Sequence, residues 1–525
     1  MGSSKKIAII GAEVEENLGV RYILASLKDH GHDYKFIRFN HERDAQTAVT
    51  ETMRYNPDLV GLSMVFTLRA RDFVKLAMML RQAGYKGHIT AGGHFASFNH
   101  ADLLTDFPCF DSICHGEGEW ILIQLIEHLN NLDTLSGVSY RAHGTVKYNP
   151  IKAKHSDLGS YPFPLREASS HEYFNQPLRN ILSGRGCYGA CKFCSIHSWY
   201  YHIRLPHFRQ RVVEDVLNEM KYCYDTLNTR IFNFHDDNFF LPTKEANKKR
   251  FKKFLDGFDR LGFKDIALSI KARPDSLSSD IVEILKALHV LRVFIGIENM
   301  SESGLQNLGR KLSTSDNSQA LDALNNAGIQ TAFNLLIFEP STTLKDLEYN
   351  LMFMEHHLEN PYNFCRTEIY NGTPLELELR SKGKLLGDYF GWDYVMADPQ
   401  AENFFNIVNA VFNDRNFTTD GVQNTSMWID YFYHVAQHFY PRKINRNLRA
   451  LSKNFVKQVN LDNYQRMARI YDFIDKKSYE NPSLMMDFIA QEKADIQLAD
   501  QMFKANADQI TRHMEQTIGA KATKN

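Results

Sequence analysis

Short apolar runs alternate with longer amphipathic stretches along the first third of the chain. Strands are predicted for Ile7–Ile10, Tyr34–Phe39, Leu59–Met64, His88–Ala91 and Ser112–Cys114. The segments Val20–His30 and Arg69–Ala83 have the periodicity of helices. Strands that alternate with helices form a parallel sheet with helices on both faces, so we expect a doubly wound, Rossmann-like α/β domain.

The same alternation continues through the middle of the chain. After a strand near Arg179, further strands are predicted over Arg230–Phe234, Ile266–Lys271, Arg292–Ile297, Gln330–Ile337 and Asn363–Ile369. Helices are predicted over Arg211–Tyr224, Lys244–Leu261, Ser279–Leu288, Thr314–Ala327 and Leu344–His356. These elements make about six β/α units, which predict a partial (β/α)6 barrel with functional residues at the carboxyl ends of its strands.

The last part of the chain has only helical periodicity. Helices are predicted over Thr425–Tyr440, Asn445–Val459, Asp462–Ile474 and Ala490–Thr517. Aromatic residues are dense between Tyr389 and Tyr440; most belong in a core, and some are candidates to line an apolar pocket over the open barrel face. We therefore expect residues 1–149 as the first domain, 150–178 as a linker, 179–380 as the barrel, and 381–525 as a mostly helical substrate or capping domain.

The composition excludes several classes of protein. The 525 residues are 43% hydrophobic and 23% charged, as in folded globular proteins, and the net charge of −1 gives no general attraction to nucleic acid. No apolar run approaches the ~20 residues of a transmembrane segment. Seven cysteines, three of them in one motif, do not resemble a disulfide framework. A cytoplasmic location is expected, because cysteines that remain thiolates rather than forming disulfides persist in a reducing compartment.

Three cysteines stand close together after the strand near Arg179. Cys187, Cys191 and Cys194 have the spacing C-x3-C-x2-C. An iron–sulfur cubane takes one cysteine per iron, so three thiolates leave the fourth iron open to an exchangeable ligand. Zinc is the alternative, but structural zinc takes four ligands in two close pairs, and no second pair follows. The motif predicts a 4Fe-4S cluster with one open iron.

This motif resembles that of the radical S-adenosylmethionine (SAM) enzymes, which place an aromatic residue before the third cysteine, here Phe193. The resemblance implies that SAM binds the open iron and is cleaved by one electron. The resulting 5′-deoxyadenosyl radical then abstracts hydrogen from an unactivated position of the substrate. It also implies an electron donor such as flavodoxin or ferredoxin.

The resemblance implies further SAM-binding residues at the ends of the barrel strands. Asp236 or Asp237 matches the residue that contacts the amino group of SAM, since a carboxylate suits an ammonium group. Arg273 matches the partner of the SAM carboxylate, and Glu298 matches a ribose partner. Structural interpretations stay open: the two aspartates cap the next helix, and Arg273 forms an ion pair with Glu298.

The fifth and sixth barrel strands differ in how closely they follow the family. Phe338 and Glu339 stand where related enzymes often have a G-x-P segment, so both are candidates for substrate contact, with core packing as the alternative for Phe338. After the sixth strand, the turn 370–374 matches one that is common in cobalamin-linked members of the family.

The N-terminal domain resembles the cobalamin-binding domain that precedes many radical SAM barrels. Parallel sheets bind ligands beyond the carboxyl ends of their strands, and glycines there let a large flat ligand approach the backbone. The resemblance implies cobalamin contacts from Glu13, Leu18, Gly19, Ser63, Met64, Val65, Gly92, Gly93, His94, Gly116, Glu117, Gly118 and Glu119. The motif D-x-H-x-x-G is absent, so the lower axial ligand of cobalt has no candidate.

A function follows from the two resemblances together. They imply a cobalamin-dependent radical SAM enzyme that methylates an unactivated carbon of a small-molecule substrate, which the dense aromatics predict to be hydrophobic or planar. A cyclase, rearrangement or oxidation enzyme with the same domains is the alternative. A non-catalytic cobalamin or redox sensor is the second alternative. A methylthiotransferase is excluded, because it needs three N-terminal cysteines and only Cys109 and Cys114 are present.

Overall fold

The computed structural model describes residues 4–152, 157–167 and 171–523. Contacts divide the chain into two compact units, each built from several stretches of sequence. The first unit comprises Met1–Ser170, Ser183–Asp215 and Glu368–Asp393, and the second comprises His171–Leu182, Val216–Thr367 and Tyr394–Asn525. The cysteine motif therefore packs with the N-terminal domain, whereas the barrel strands pack with the C-terminal helices.

Elements are numbered in chain order. The strands of the first unit are β1 Lys6–Gly11, β2 Asp33–Arg38, β3 Leu59–Ser63, β4 His88–Gly92, β5 Ser112–Cys114, β6 Val138–Ala142, β7 Thr145–Asn149, β10 Gly184–Gly186, β11 Phe208–Gln210, β17 Leu386–Asp388 and β18 Gly391–Asp393. Its helices are α1 Leu18–Asp29, α2 Ala45–Tyr55, α3 Thr67–Gln82, α4 His94–Phe98, α5 His100–Asp106, α6 Gly118–Glu127, α7 Ser195–His202 and α14 Pro374–Ser381.

The second unit holds the remaining elements. Its strands are β8 Glu172–Tyr173, β9 Gln176–Ile181, β12 Ile231–Phe234, β13 Ala267–Ala272, β14 Val290–Glu298, β15 Gln330–Phe338 and β16 Tyr362–Arg366. Its helices are α8 Val213–Thr226, which begins in the first unit, α9 Lys244–Leu261, α10 Ser279–Ala287, α11 Glu302–Asn307, α12 Thr314–Ala327, α13 Leu344–His356, α15 Pro399–Phe417, α16 Val422–Phe439, α17 Arg446–Asp475 and α18 Pro482–Ile518.

The first unit contains the predicted doubly wound domain. Strands β2, β1, β3, β4 and β5 pair in that order and in parallel, and Ile7–Ile10 of β1 are buried as expected for a strand covered on both faces. The antiparallel hairpin β6–β7, which the sequence analysis missed, extends the sheet beyond β5. Its two turn residues, His143 and Gly144, have positive φ angles of 50° and 77°, as a tight hairpin turn requires.

The second unit contains the predicted partial barrel. Parallel strands follow the order β16-β15-β14-β13-β12-β9, and β8 pairs antiparallel with β9 at the edge. Burial alternates along β14: Val293, Ile295 and Ile297 are fully buried, whereas Phe294 and Glu298 are partly exposed. One face of the sheet is therefore packed, and the other face is more open, as a partial barrel requires.

The C-terminal helices lie against the amino ends of the barrel strands. Gln330, the first residue of β15, donates a hydrogen bond to Asp430 of α16 at 3.1 Å. His438 of α16 contacts the carbonyl of Ile266, just before β13, at 2.8 Å. The aromatic residues of α16 therefore pack at the end opposite the polar strand ends, and the expectation that they line a pocket over those ends is wrong for this helix.

Two predicted helices are one. The sequence analysis placed separate helices over 445–459 and 462–474, whereas α17 is continuous from Arg446 to Asp475. No helix of the described ranges combines the length and apolarity needed to cross a membrane.

Candidate active site

The cysteine loop is anchored by the short hairpin of β10 and β11. Gly186 has φ of +84°, and a Cβ there would lie 2.0 Å from the carbonyl oxygen of His207. The backbone N–H of Cys187 donates to that same carbonyl at 2.9 Å. Glycine is therefore required before the first cysteine, because only glycine lets the two strands approach so closely.

The loop itself suits a cluster with thiolate ligands. The N–H of Gly189 donates to Sγ of Cys187 at 3.3 Å, and the N–H of Cys194 donates to the carbonyl of Cys191 at 3.2 Å. Cys194 is the N-cap of α7, so its sulfur lies at the helix end whose partial positive charge favours a thiolate. Among the described residues, no group of three His, Cys, Asp or Glu side chains is arranged to hold a single metal ion.

Buried ion pairs join this hairpin to the N-terminal domain. Arg185 lies 2.9 Å from Glu117 and 2.5 Å from Glu119, and Arg209 pairs with Glu117. Burial opposes the charge on Glu117, but Arg185 and Arg209 lower the pKa of this carboxyl below its ordinary value. Glu117 and Glu119, which the sequence analysis assigned to cobalamin, thus have guanidinium partners of their own.

The loops after β3 and β4 form the centre of the predicted cobalamin edge. The N–H of Met64 donates to the carbonyl of Gly92 at 2.8 Å. Gly93 has φ of +104°, and a Cβ there would lie 2.9 Å from the carbonyl oxygen of Met64. His94 begins α4, and its ring packs 4.4 Å from that of Trp199, where burial lowers its pKa to about 4. Of the predicted residues, Ser63, Met64, Val65, Gly92, Gly93 and His94 are brought together here.

The predicted cobalamin contacts that follow the first strand, Glu13, Leu18 and Gly19, are partly engaged within the protein. The carboxylate of Glu13 accepts hydrogen bonds from Arg21 at 2.7 Å and from Arg38 at 2.9 Å, so it is already occupied. Leu18 and Gly19 begin helix α1, and Leu18 is buried.

The glycines after β5 have packing roles. Gly118 abuts Ile23, which a Cβ would approach to 2.5 Å, and Gly116 has φ of +97°.

Exposed apolar side chains that the sequence analysis did not single out lie at the same edge. Val14 follows β1 and is 65% exposed, while Phe66 and Leu68 follow the adjacent strand β3 and are 68% and 91% exposed. These side chains give the edge an apolar surface. At Gly93, which has no side chain, a ligand can also approach the backbone, so the edge fits a large flat ligand such as cobalamin. The signal in the sequence was present for Phe66, where the apolar run of β3 continues past the end of the strand.

A chain of buried histidines lies next to this edge and was also missed. His115, directly after β5, contacts His202 of α7 at 3.1 Å and Ser139 at 2.8 Å, and Ser139 contacts His100 at 2.9 Å. Burial lowers the pKa of all three histidines, and that of His202 falls to about 4. These imidazoles are therefore neutral at pH 7.

In the second unit, the two aspartates after β12 lie in different surroundings. Asp236 is buried and interacts electrostatically with Arg250 of α9, whereas Asp237 is exposed. Neither residue caps α9, because the N-cap is Thr243, whose side chain accepts from Ala246. Asp237 is thus the more accessible candidate for the amino group of SAM.

Arg273 and Glu298 lie at the carboxyl ends of β13 and β14, together with Arg310, which the sequence analysis missed. Arg310 is 3.7 Å from Glu298, and Arg273 pairs with Asp275 at 3.2 Å and donates to the carbonyl of Arg310. Glu298 has φ of +64°, a strained conformation for a residue with a side chain. Burial raises its pKa, while Arg310 and Arg273 act in the opposite direction.

Phe338 and Glu339 are enclosed by protein. Phe338 is 1% exposed and packs against Phe404 and Phe405. Glu339 is 2% exposed and accepts hydrogen bonds from the N–H of Ser341 and the side chain of Asn307. Phe338 thus packs in the core, and Glu339 has hydrogen-bond partners within the protein; a contact of either residue with substrate stays a prediction.

Family comparisons agree with the two parts of the chain described above. The family description "B12 binding domain" matches residues 7–126, and "Radical SAM superfamily" matches residues 181–349. The first match covers the sheet edge with Gly93 and His94, and the second covers the cysteine loop and strands β12 to β15.

Several curated proteins are similar to the chain at low identity. An uncharacterized methyltransferase of Pyrococcus horikoshii is 24% identical over 68% of this chain and 77% of its own. An anaerobic magnesium-protoporphyrin IX monomethyl ester cyclase of Synechocystis is 25% identical over 58% of this chain and 61% of its own. A hopanoid C-3 methylase of Methylococcus capsulatus is 26% identical over 61% of each chain.

Solved structures share the fold. The cobalamin-dependent SAM radical enzyme OxsB, with aqua-cobalamin bound, matches with a TM-score of 0.69 at 18% identity, covering 97% of this chain and 84% of its own. The radical SAM methyltransferase TsrM of Kitasatospora setae, with cobalamin and a [4Fe-4S] cluster bound, matches with a TM-score of 0.61 at 16% identity, covering 72% of this chain and 78% of its own. The chain is a radical SAM enzyme with an N-terminal cobalamin-binding domain, and its cofactors are a 4Fe-4S cluster, SAM and cobalamin.

Proposed function

We propose that the protein methylates an unactivated carbon atom of a small-molecule substrate. The observation that carries the proposal is that the cysteine loop and the cobalamin-binding domain belong to one compact unit, joined by the ion pairs of Arg185 and Arg209 with Glu117. The names of two of the three similar proteins, a methyltransferase and a methylase, support methyl transfer as the outcome.

In this proposal, the residues of the chain bind and orient the cluster and SAM. Cys187, Cys191 and Cys194 would hold the cluster, and Asp237 and Glu298 would contact the amino group and ribose of SAM. When bound, the cluster and SAM supply a radical, and cobalamin supplies a carrier for the methyl group.

The side chains on the more open face of the partial barrel indicate what kind of substrate could bind there. Asn233, Lys271 and Asn334 are partly exposed on β12, β13 and β15, and Lys271 is paired with Phe294 of β14. A substrate that binds this face would meet polar as well as aromatic groups. We therefore propose a substrate with polar substituents on an apolar or planar body, and a flavodoxin or ferredoxin as electron donor.

The experiment uses the anaerobically purified holoenzyme, a chemical reductant and SAM with a deuterated methyl group. Methyl transfer consumes one SAM as 5′-deoxyadenosine plus methionine and another as S-adenosylhomocysteine. We expect both nucleosides, and expect both to increase when a small-molecule extract of the source cells is added, with the deuterated methyl group appearing in one product. Formation of 5′-deoxyadenosine without S-adenosylhomocysteine would contradict the proposal.

A second candidate is radical cyclisation, favoured by the similarity to the anaerobic cyclase of Synechocystis. It predicts 5′-deoxyadenosine, no S-adenosylhomocysteine and a product that has lost hydrogen. If the protein is a non-catalytic sensor, neither 5′-deoxyadenosine nor S-adenosylhomocysteine should form under the same conditions.

A further inference from the structure

The residues that follow the last barrel strand return to the first unit. The connecting segment, defined as Glu368–Asp393, packs with the N-terminal domain and the cysteine loop. It contains helix α14 and the hairpin β17–β18. The sequence analysis divided this segment between the barrel and the C-terminal domain and noted in its first half only the turn 370–374.

One end of the connecting segment holds the cysteine loop. The backbone N–H of Leu375, in the first turn of α14, donates to the carbonyl of Lys192 at 3.0 Å. The ammonium group of Lys192 lies 3.3 Å from the carboxylate of Glu378, one turn further along the same helix. Because Lys192 stands between Cys191 and Cys194, these contacts fix the backbone between two cluster ligands.

The other end binds helices α3 to α5 of the N-terminal domain. The ring of Phe390 packs 5.6 Å from Phe95 and lies under the guanidinium of Arg71 at 4.4 Å. Arg71 also pairs with Asp388 at 2.7 Å, and the hydroxyl of Tyr389 donates to the carboxylate of Asp106 at 2.9 Å. Aromatic, ionic and hydrogen-bonding contacts thus converge on one tight hairpin.

Side-chain hydrogen bonds connect the two ends. The amide of Asn371 donates to the carbonyl of Tyr389 at 2.9 Å and accepts from the indole N–H of Trp392 at 2.5 Å. Ile369 forms a backbone bridge with Trp392. The start of the segment is therefore tied to its hairpin, so the segment behaves as one body rather than as a flexible linker.

Gly372 packs against helix α4, which follows the glycine loop of the predicted cobalamin edge. Its φ is +73°, and a Cβ there would lie 2.4 Å from Cδ1 of Phe98. Phe98 is the last residue of α4, a short helix that begins at His94, directly after Gly93. A displacement of Phe98 would therefore pass through one short helix to the glycine loop at which cobalamin is expected.

We propose that the connecting segment is a positioning element that sets the distance between the iron–sulfur cluster and cobalamin. It holds Lys192 of the cysteine loop at one end and α4 at the other, within one compact unit. Reacting groups must be held in a defined geometry, and a displacement of about 1 Å costs a reaction about 10²-fold. The inference rests on the presence of both cofactors and does not depend on methyl transfer as the outcome.

The test compares Gly372→Ala with Gly383→Ala in the anaerobic holoenzyme. Both glycines lie in the segment with positive φ, +73° and +64°, but a Cβ at Gly383 has no atom within 4 Å. The matched control therefore carries the backbone strain without the contact. Pulsed electron paramagnetic resonance measures the dipolar distance between the reduced cluster and Co(II) of cobalamin.

We expect Gly372→Ala to shift or broaden this distance by about 1 Å or more, and Gly383→Ala to leave it unchanged. Phe98→Ala added to Gly372→Ala should restore the original distance, because it removes the atoms that clash. Phe390→Ala, which leaves the backbone intact, serves as an independent variant if Gly372→Ala does not fold, and should broaden the distance. An unchanged distance in the folded variants, or equal effects at both glycines, would overturn the inference. If the parent enzyme forms no S-adenosylhomocysteine but Gly372→Ala still shifts the distance, the proposed methyl transfer fails while the positioning inference holds.

Discussion

The guanidinium of Arg185, two residues before the first cluster cysteine, lies 2.9 Å from the carboxylate of Glu117 in the N-terminal domain. Arg209 pairs with the same carboxylate, and the side chains of Glu117 and Arg209 are 5% and 6% exposed. Glu117→Gln would leave both guanidinium groups without that charge in a buried site. We expect the free energy of unfolding to fall by about 3–5 kcal/mol, measured by chemical denaturation of the anaerobic protein.

Glu42→Gln is the control, because Glu42 pairs with Lys75 where both side chains are about 60% exposed. Exposed pairs contribute little, so this variant should unfold like the parent. Equal stability of the two variants would show that the buried pair does not hold the hairpin.

Several helices could be predicted from the sequence because their local sequence pattern agrees with their tertiary packing. The bounds predicted for α9, α12 and α13 are those observed, since each helix has a clear cap and one apolar face. The two helices predicted in place of α17 leave a gap that begins at Asn460. In the structure the side chain of Asn460 donates to the carbonyls of Leu358 and Asn360, each at 2.9 Å, so a polar residue is buried without ending the helix.

The sequence predicted the site only where the residues that act together are close to one another in the chain. The spacing of the three cysteines indicates a cluster without further information. Glu117 and Glu119 resembled ligand contacts because they follow a strand, but their partner Arg185 is more than sixty residues away in the chain. Arg310 was missed for a different reason: it is close to Glu298 in the chain, but their proximity in space depends on how the connection between them folds back.

Removal of one cluster ligand should abolish SAM cleavage. We expect Cys191→Ala to lose the iron and the absorbance of the cluster, and to form no 5′-deoxyadenosine. Cys365→Ala is matched in chemistry, because Cys365 is partly buried on β16 and outside the motif. It should keep both properties. A variant of Cys191 that still forms 5′-deoxyadenosine would disprove the cluster assignment.

The buried histidines make stability depend on pH. Burial lowers the pKa of His202 from 6.5 to about 4, so the folded protein binds this proton less readily than the unfolded chain. Its contribution to stability is complete above pH 6.5 and is lost progressively as the pH falls towards 4. We expect His202→Gln to weaken this dependence in urea unfolding at pH 7, 6 and 5. Replacement of the exposed His356 should leave the slope unchanged; an unchanged slope for His202→Gln would refute the assignment.

Glu298 should contribute directly to SAM binding. Glu298→Gln keeps the shape of the side chain and removes a charged acceptor, which is worth about 1.5–3 kcal/mol, so the Kd for SAM should rise about tenfold or more. Burial raises the pKa of Glu298, so SAM affinity should begin to fall at a higher pH than for an ordinary glutamate. Equilibrium dialysis of the cluster-loaded protein measures both effects. Glu283→Gln, on the exposed side of α10, should change neither, and equal affinities for the two variants would remove Glu298 from the site.

The exposed apolar residues after β3 should contact cobalamin. Phe66 and Leu68 are 68% and 91% exposed, so their replacement by alanine removes almost no packing from the protein. Covering one such side chain is worth about 1.5–3 kcal/mol, and the double variant should therefore bind cobalamin at least about tenfold more weakly, with unfolding unchanged. Leu498 and Met502 of α18, 62% and 68% exposed, provide a matched double variant away from the edge, which should bind cobalamin like the parent. Absorbance titration with aqua-cobalamin measures both affinities. If the two double variants bind equally well, cobalamin does not cover Phe66 and Leu68, and the apolar surface at this edge must serve another ligand.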